Sequence, residues 1–171
     1  MKRRTLLTCL LAAPALPLLS RVANATETDL ATGIRALDLP RNYWRDKVSA
    51  AAWGVLYEED TERPRSSPLD KLYDEGTYVC AACYLPLFLS AHKFDSGTGW
   101  PSFTQPIEGH MTTKQDFALI WPRTEYHCVR CGGHQGHLFS DGPEPRGERW
   151  CNNGLALKFA LRTDELPLLR G

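Results

Sequence analysis

No stretch of this chain offers the roughly 20 consecutive apolar residues that a membrane-spanning helix requires, so no stable membrane insertion is expected. The longest apolar run, Leu6 to Leu19, is interrupted by Pro14 and Pro17. There is also no stripe of lysine and arginine, which argues against a nucleic-acid partner, and no low-complexity tract. Nothing repeats except a pair of Cys-x-x-Cys motifs. At 171 residues the chain is too short for two ordinary domains and long enough for one with a real core.

Its start carries an export signature instead. Lys2-Arg3-Arg4 precede the apolar run, and Ala23-Asn24-Ala25 offers small residues at the −3 and −1 positions of a signal-peptidase site. Residues 1–25 therefore read as a cleaved signal, with the mature chain beginning near Thr26. Arg3-Arg4 followed by Thr5-Leu6-Leu7 resembles a twin-arginine signal, which would mean export after folding; an ordinary secretory signal fits the same residues. Either route implies an exported protein of the bacterial periplasm. Removing the segment takes Lys2, Arg3, Arg4 and Arg21 and leaves 16 basic against 20 acidic residues, a net charge of −4. Cys9 leaves with it. The five remaining cysteines are an odd number, which in an exported protein points to a partner chain or a functional thiol.

Residues 26–42 are weakly patterned and read as a linker or surface arm. Trp44, Val48, Ala51, Ala52 and Val55 then fall at helical spacing, as one helix or as two short ones separated near Ser49, a candidate cap. From Asp60 to Asp74 proline, serine and charge predict an extended loop. Short strands follow: Thr77 to Val79, Leu85 to Leu89, Phe117 to Trp121, Thr124 to Val129, and the alternating Leu155, Leu157, Phe159 and Leu161. Joined by glycine and proline turns, these imply antiparallel sheets. Residues 43–163 form the expected domain and residues 164–171 a tail.

Cys80-Ala-Ala-Cys83 and Cys128-Val-Arg-Cys131 have the form of two metal knuckles. Four thiolates bind zinc tetrahedrally and leave no open position, so such a site is structural. Two disulfides are the competing arrangement in an oxidising compartment, and His134 or His137 replacing one cysteine is another. Cys151 is left over. Arg149, two residues away, shares its face if the segment is a strand, and its charge would lower the thiol pKa; Asn153 lies on that face too. An inert buried cysteine is the plainer reading. His134 and His137 stand three apart, so on a strand they would point to opposite faces, whereas a glycine-bent loop aims both into one pocket. Trp100, held before Pro101 in a glycine-bounded loop, suits either an apolar substrate wall or core packing.

Together these segments resemble the methionine-R-sulfoxide reductases, the B-type enzymes. The resemblance runs from about Tyr43 to Leu161 and includes Thr61-Glu62-Arg63-Pro64, Gly76 to Cys80, Ser96 to Phe103, Cys131 to Phe139, Asp141-Gly142-Pro143 and Arg149 to Asn153. It implies a mainly β (α+β), β-tent-like fold of two antiparallel sheets with short N-terminal helices and one structural zinc on Cys80, Cys83, Cys128 and Cys131. It makes Cys151 the nucleophile toward the sulfoxide, His134 and His137 the proton donors, and Asn153 and Asp141 parts of the polar network. Arg149 would support the thiolate and Trp100 would receive the methyl group. The resulting Cys151 sulfenic acid must be reduced by another thiol. Many members have a resolving cysteine where this chain has Thr98, so a one-cysteine cycle with an external, thioredoxin-like or other thiol is expected. The implied substrates are oxidised proteins or free methionine sulfoxide, and the enzyme is expected to be a monomer. A non-enzymatic zinc-stapled binding module is the alternative; a zinc hydrolase fails if all four metal positions are thiolates.

Overall fold

A computed structural model describes residues 34–117 and 122–171. The export signal and residues 118–121 of the expected strand from Phe117 lie outside the described residues.

The first elements follow the predicted break at Ser49. Arg41–Trp44 form a 3-10 turn and Ala50–Glu58 form helix α1. The Ser49 hydroxyl accepts the Ala52 N–H at 3.1 Å, a cap that stabilises such a helix by about 1 kcal/mol. The arm before it is not free, because Leu37 N–H donates to the Arg130 carbonyl at 2.7 Å and Leu37 and Leu39 pack on the core. No described helix is long and apolar enough to cross a membrane.

Among the described residues nine strands follow: β1 Gly76–Cys80, β2 Pro86–Leu89, β3 Lys93–Phe94, β4 Ser102–Phe103, β5 Met111–Asp116, β6 Arg123–Cys128, β7 His134–Phe139, β8 Arg149–Asn152 and β9 Leu157–Leu161. They make two antiparallel sheets, one in the order β2-β1-β9 and the other in the order β3-β4-β8-β7-β6-β5. Aromatic side chains from both sheets meet between them. Phe88 of the smaller sheet stacks on Phe103 of the larger with centroids 4.1 Å apart, Tyr78 meets Phe103 edge-on at 5.0 Å, and Tyr126 meets Trp150 at 4.9 Å. Rings of this size bury more apolar area than any other side chains, and offset or edge-on pairs add to that gain.

The two cysteine knuckles tie the sheets at a second place. One turn joins β1 to β2 and the other joins β6 to β7. In both, the residue four beyond the first cysteine takes a left-handed conformation: Tyr84 at φ 63° and Gly132 at φ 71°. The tyrosine bears the steric cost of that geometry and is clamped by the C-terminal segment. Arg170 lies over its ring, hydrogen-bonds its hydroxyl, and donates its own backbone N–H to the Cys83 carbonyl at 2.9 Å.

Residues His134–Phe139 form a strand rather than the expected bent loop. Two histidines three apart would then face opposite ways, except that the pairing of β6 and β7 slips by one residue: Tyr126 pairs with Gly136, while His127 pairs with His134. Gln135 is the extra residue of this β-bulge. The slip returns His134 to the face of His137, the same face as Glu125 and His127 of β6. On β8, alternation sends Trp150 and Asn152 to the core side and Arg149 and Cys151 to the other.

Gly136 lets β7 and β8 meet closely, since a Cβ there would stand 1.9 Å from the Cys151 carbonyl oxygen. Gly136→Ala should therefore destabilise the protein by about 3 kcal/mol and displace the strand bearing Cys151. Thermal denaturation reads this out; an unchanged melting temperature would contradict the close approach.

Candidate functional site

Cys151 sits at the centre of the larger sheet, in register with Ser102 of β4 on one side and His137 of β7 on the other. It borders a cleft of about 120 Å³ lined also by Thr61, Trp100, Arg123, His137, Phe139 and Asn153. Trp100 and Phe139 give the cleft apolar walls, and the polar groups converge at its sulfur end. This is the usual form of a small-molecule site.

The sulfur is well supplied with donors. The neighbouring Thr98 and Ser102 hydroxyls and the Arg149 guanidinium favour the thiolate. Ser96 Oγ lies 2.8 Å from each of those two hydroxyl oxygens, forming a small hydroxyl network. Burial nevertheless outweighs these donors, and the Cys151 pKa is raised above the ordinary thiol value, with Arg149 the largest opposing influence. The expectation that Arg149 would lower it below that value is thus corrected: desolvation wins. Cys151 is therefore held as a shielded thiol.

Arg149 is fixed by two parallel bonds to Asp141, Nε to Oδ1 at 2.8 Å and an NH2 group to Oδ2 at 2.9 Å, and by the Phe139 ring 4.1 Å beneath it. The Asp141 carboxyl is held below its usual range by that bond. Asp141 does not line the cleft; it aims the arginine. Asn153 does line it, and is locked by accepting the Glu62 N–H at 3.1 Å and donating to the Gln135 carbonyl at 3.1 Å.

The two histidines divide. His137 faces the cleft, with Nε2 3.1 Å from Asp116 Oδ2. A carboxylate only accepts, so that nitrogen carries the proton and Nδ1 is left for the reacting group. Asp116 is in turn bound by Arg123 at 2.6 Å. His134 is almost wholly enclosed, 1 % exposed, and lies behind His137 with ring centroids 5.3 Å apart. Burial first, then the neighbouring His127 and His137, push its pKa down to about 4. Burial also lowers that of His137, against the pull of Asp116.

Sequence reasoning gave no role to Ser102, Asp116 and Glu62, and read Thr98 only as standing in the place of a resolving cysteine. Thr98 and Ser102 reach the sulfur, and Ser102 was findable only through its cross-strand register with Cys151. Asp116 stands at the end of a polar strand with no signal of its own. Glu62 is the main organiser: its carboxylate accepts the N–H groups of Gly154 and Leu155 at 2.6 and 3.0 Å, and its carbonyl accepts Trp100 Nε1–H at 3.1 Å. One buried acid thereby links the end of β8 to the cleft wall, and its burial raises its pKa.

The four knuckle cysteines form a separate cluster. Cys80 and Cys131 Sγ lie 3.6 Å apart, as do Cys83 and Cys128, and all four sulfurs fall within 4.8 Å of one another. A disulfide would hold them at about 2.05 Å. A tetrahedron with zinc–sulfur bonds of about 2.3 Å has sulfur–sulfur edges near ~3.8 Å, so the cluster fits zinc. Burial holds Cys80 and Cys128 well above the ordinary thiol value, while hydrogen bonds from Cys128, Cys80 and Cys83 hold Cys131 well below it. Gln135 Nε2 approaches Cys80 Sγ at 3.6 Å.

Residues 48–161 match the SelR domain family model. A peptide methionine sulfoxide reductase MsrB of Bradyrhizobium diazoefficiens is 50% identical over 117 residues, 68% of this chain and 84% of that protein. The MsrB of Agrobacterium fabrum is 45% identical over 117 residues, 68% and 87% of the two chains. The chloroplastic peptide methionine sulfoxide reductase B1 of Arabidopsis thaliana is 42% identical over 122 residues, 71% of this chain and 60% of that one.

Alkylation of Cys151 by iodoacetamide in metal-loaded protein should still be climbing as pH passes 9, in keeping with the raised thiol pKa, and Arg149→Leu should move the profile further up. A midpoint below neutrality in the unaltered protein would overturn this account.

Proposed function

Because this chain belongs to the SelR-domain family of MsrB peptide methionine sulfoxide reductases, we propose that its Cys151 reduces the R epimer of methionine sulfoxide by direct attack on sulfur. The observation that carries the reading is the cleft itself: a half-buried thiol whose cross-strand neighbour is an imidazole, with Trp100 and Phe139 as aromatic walls.

Cys151 sulfur attacks the sulfoxide sulfur as the oxygen takes up a proton, the oxygen passes to the cysteine, and methionine leaves; the thiol becomes a sulfenic acid while the substrate gains two electrons. His137 is the nearer proton donor, oriented by Asp116. Its lowered pKa means that it picks up its proton with the substrate. His134 supports it from behind, Asn153 contributes a fixed amide, Arg149 stabilises the developing thiolate, and Trp100 receives the methyl. Zinc on Cys80, Cys83, Cys128 and Cys131 would hold the two turns together and takes no part in the transfer.

The sulfenic acid is then reduced by an external thiol, which forms a mixed disulfide and releases water; a second thiol restores Cys151. Cys80, Cys83, Cys128 and Cys131 belong to the metal cluster, and Thr98 occupies the place of a resolving cysteine. A monomer exported by the signal in residues 1–25, drawing on a thioredoxin-like or other carrier outside the cytoplasm and acting on oxidised proteins or the free amino acid, fits this reading.

Assay of both epimers of a methionine sulfoxide peptide with dithiothreitol tests the proposal. Only the R epimer should be consumed, Cys151→Ser should be inactive, and Asp116→Asn should lower kcat about 10²-fold, the low end for a disturbed acid. Consumption of the S epimer, or turnover by Cys151→Ser, would sink it. Thr98→Cys gives an independent check: because the Thr98 hydroxyl is close enough to Cys151 to favour its thiolate, the new thiol should trap the sulfenic acid as an internal disulfide after one turnover.

A further inference from the structure

Behind the cleft lies a second group of metal-type ligands, which shares His134 with the reductase site and adds Glu125 and His127. Glu125, His127 and His134 bring one ligand atom each to within 4.8 Å of the others. Glu125 Oε2 stands 3.1 Å from His134 Nδ1 and 3.4 Å from His127 Nε2. Neither approach has hydrogen-bond geometry: His127 Nε2 and both His134 nitrogens are buried without a hydrogen-bond partner. His134 is 1 % exposed and His127 9 %.

The rest of the geometry follows the pattern of a metal site. His127 Nδ1 lies 3.1 Å from the Gly132 carbonyl, which only accepts, so the proton is on Nδ1 and Nε2 is the atom turned toward Glu125. Metal-ligating histidines are held in this way, with the other ring nitrogen donating to a backbone carbonyl or carboxylate. Ligands bonded to one zinc ion at about 2.0 Å in a tetrahedron lie about 3.3 Å apart, and the two contacts above bracket that value. Lys114 takes the other Glu125 oxygen at 2.9 Å and also Glu59 at 2.7 Å, which leaves Oε2 for an ion. A cavity of about 330 Å³ lined by Glu59, Lys114, His127 and Gly132 gives a way in.

We propose that Glu125, His127 and His134 form a second site for a divalent ion of zinc type, distinct from the cysteine cluster, and that its occupation withdraws His134 from the reductase reaction. Two imidazoles and a carboxylate are the donor set such ions prefer, with a fourth position open to water. Only the inhibitory consequence rests on the reductase reading; ion binding does not.

Cobalt(II), added to protein whose cysteine cluster is already filled with zinc, is the probe. The visible bands of nitrogen- and oxygen-bound cobalt should appear without the thiolate-to-cobalt charge-transfer band. His127→Gln and Glu125→Gln should each bind cobalt at least about tenfold more weakly, the lower end of what losing even an outer partner of a ligand costs. Retention of the cysteine-bound zinc in both variants certifies their fold. Added zinc should inhibit turnover of the unaltered enzyme and spare His127→Gln. No cobalt bands at millimolar cobalt, bands of thiolate type, or bands undiminished in either variant would overturn the site; this spectrum is read whether or not the enzyme turns over.

Discussion

The rest of the structure depends on a single extra residue in β7. Gln135 is the bulge between His134 and Gly136, and it touches both halves of the molecule. Its carbonyl takes the N–H of Asn153 at 2.8 Å and the Asn153 amide at 3.1 Å. Its side chain approaches Cys80 at 3.6 Å and takes the Asn152 amide at 3.5 Å. With no exposed surface, it cannot fall back on water, so every one of these partners must be in place at once. The bulge therefore sets which way both histidines face and how the strand bearing Cys151 leaves the sheet, and it connects that strand to the sulfur cluster.

Around this point the site is built from buried polar groups that hold one another. Glu62 binds three backbone N–H or side-chain donors from two segments, Asp141 grips Arg149 from the exposed side, and Asp116 grips His137. None of these acids needs to touch a reacting atom. Each converts a flexible cation or ring into a fixed donor, which is what preorganised electrostatic stabilisation requires. The raised pKa of Cys151 belongs to the same design: a site dry enough to strengthen those donors also discourages a free thiolate.

Much of this was legible in the chain. The knuckle spacing and the Ser49 cap are local, and the structure keeps both; of the alternation expected from Leu155 to Leu161 it keeps the strand Leu157–Leu161, with Leu155 in a 3-10 turn before it. What could not be read is non-local or lacks contrast. β5, Met111–Asp116, is an edge strand with four exposed residues in its middle, so it carries no apolar alternation. The common face of His134 and His137 depends on a register slip that a period-two rule contradicts. Asp116 and Glu62 matter only through partners far along the chain. The family motifs singled out Thr61 to Pro64 as a block without saying that Glu62 was its working member.

The pairing of β1 with β9 joins Thr77 to Ala160, and the last residues cross back to clamp Tyr84 beside the first knuckle. The smaller sheet consequently cannot close until β9 has been made, because that strand, about eighty residues further along, is the partner of β1. Loop closure over such a span is slow relative to local contacts. Until then the first pair of cysteines lacks the scaffold that holds it against the second. Maturation of the sulfur cluster therefore follows the pairing of β1 with β9, and loss of the Arg170 clamp on Tyr84 would be felt first at a turn about eighty residues earlier.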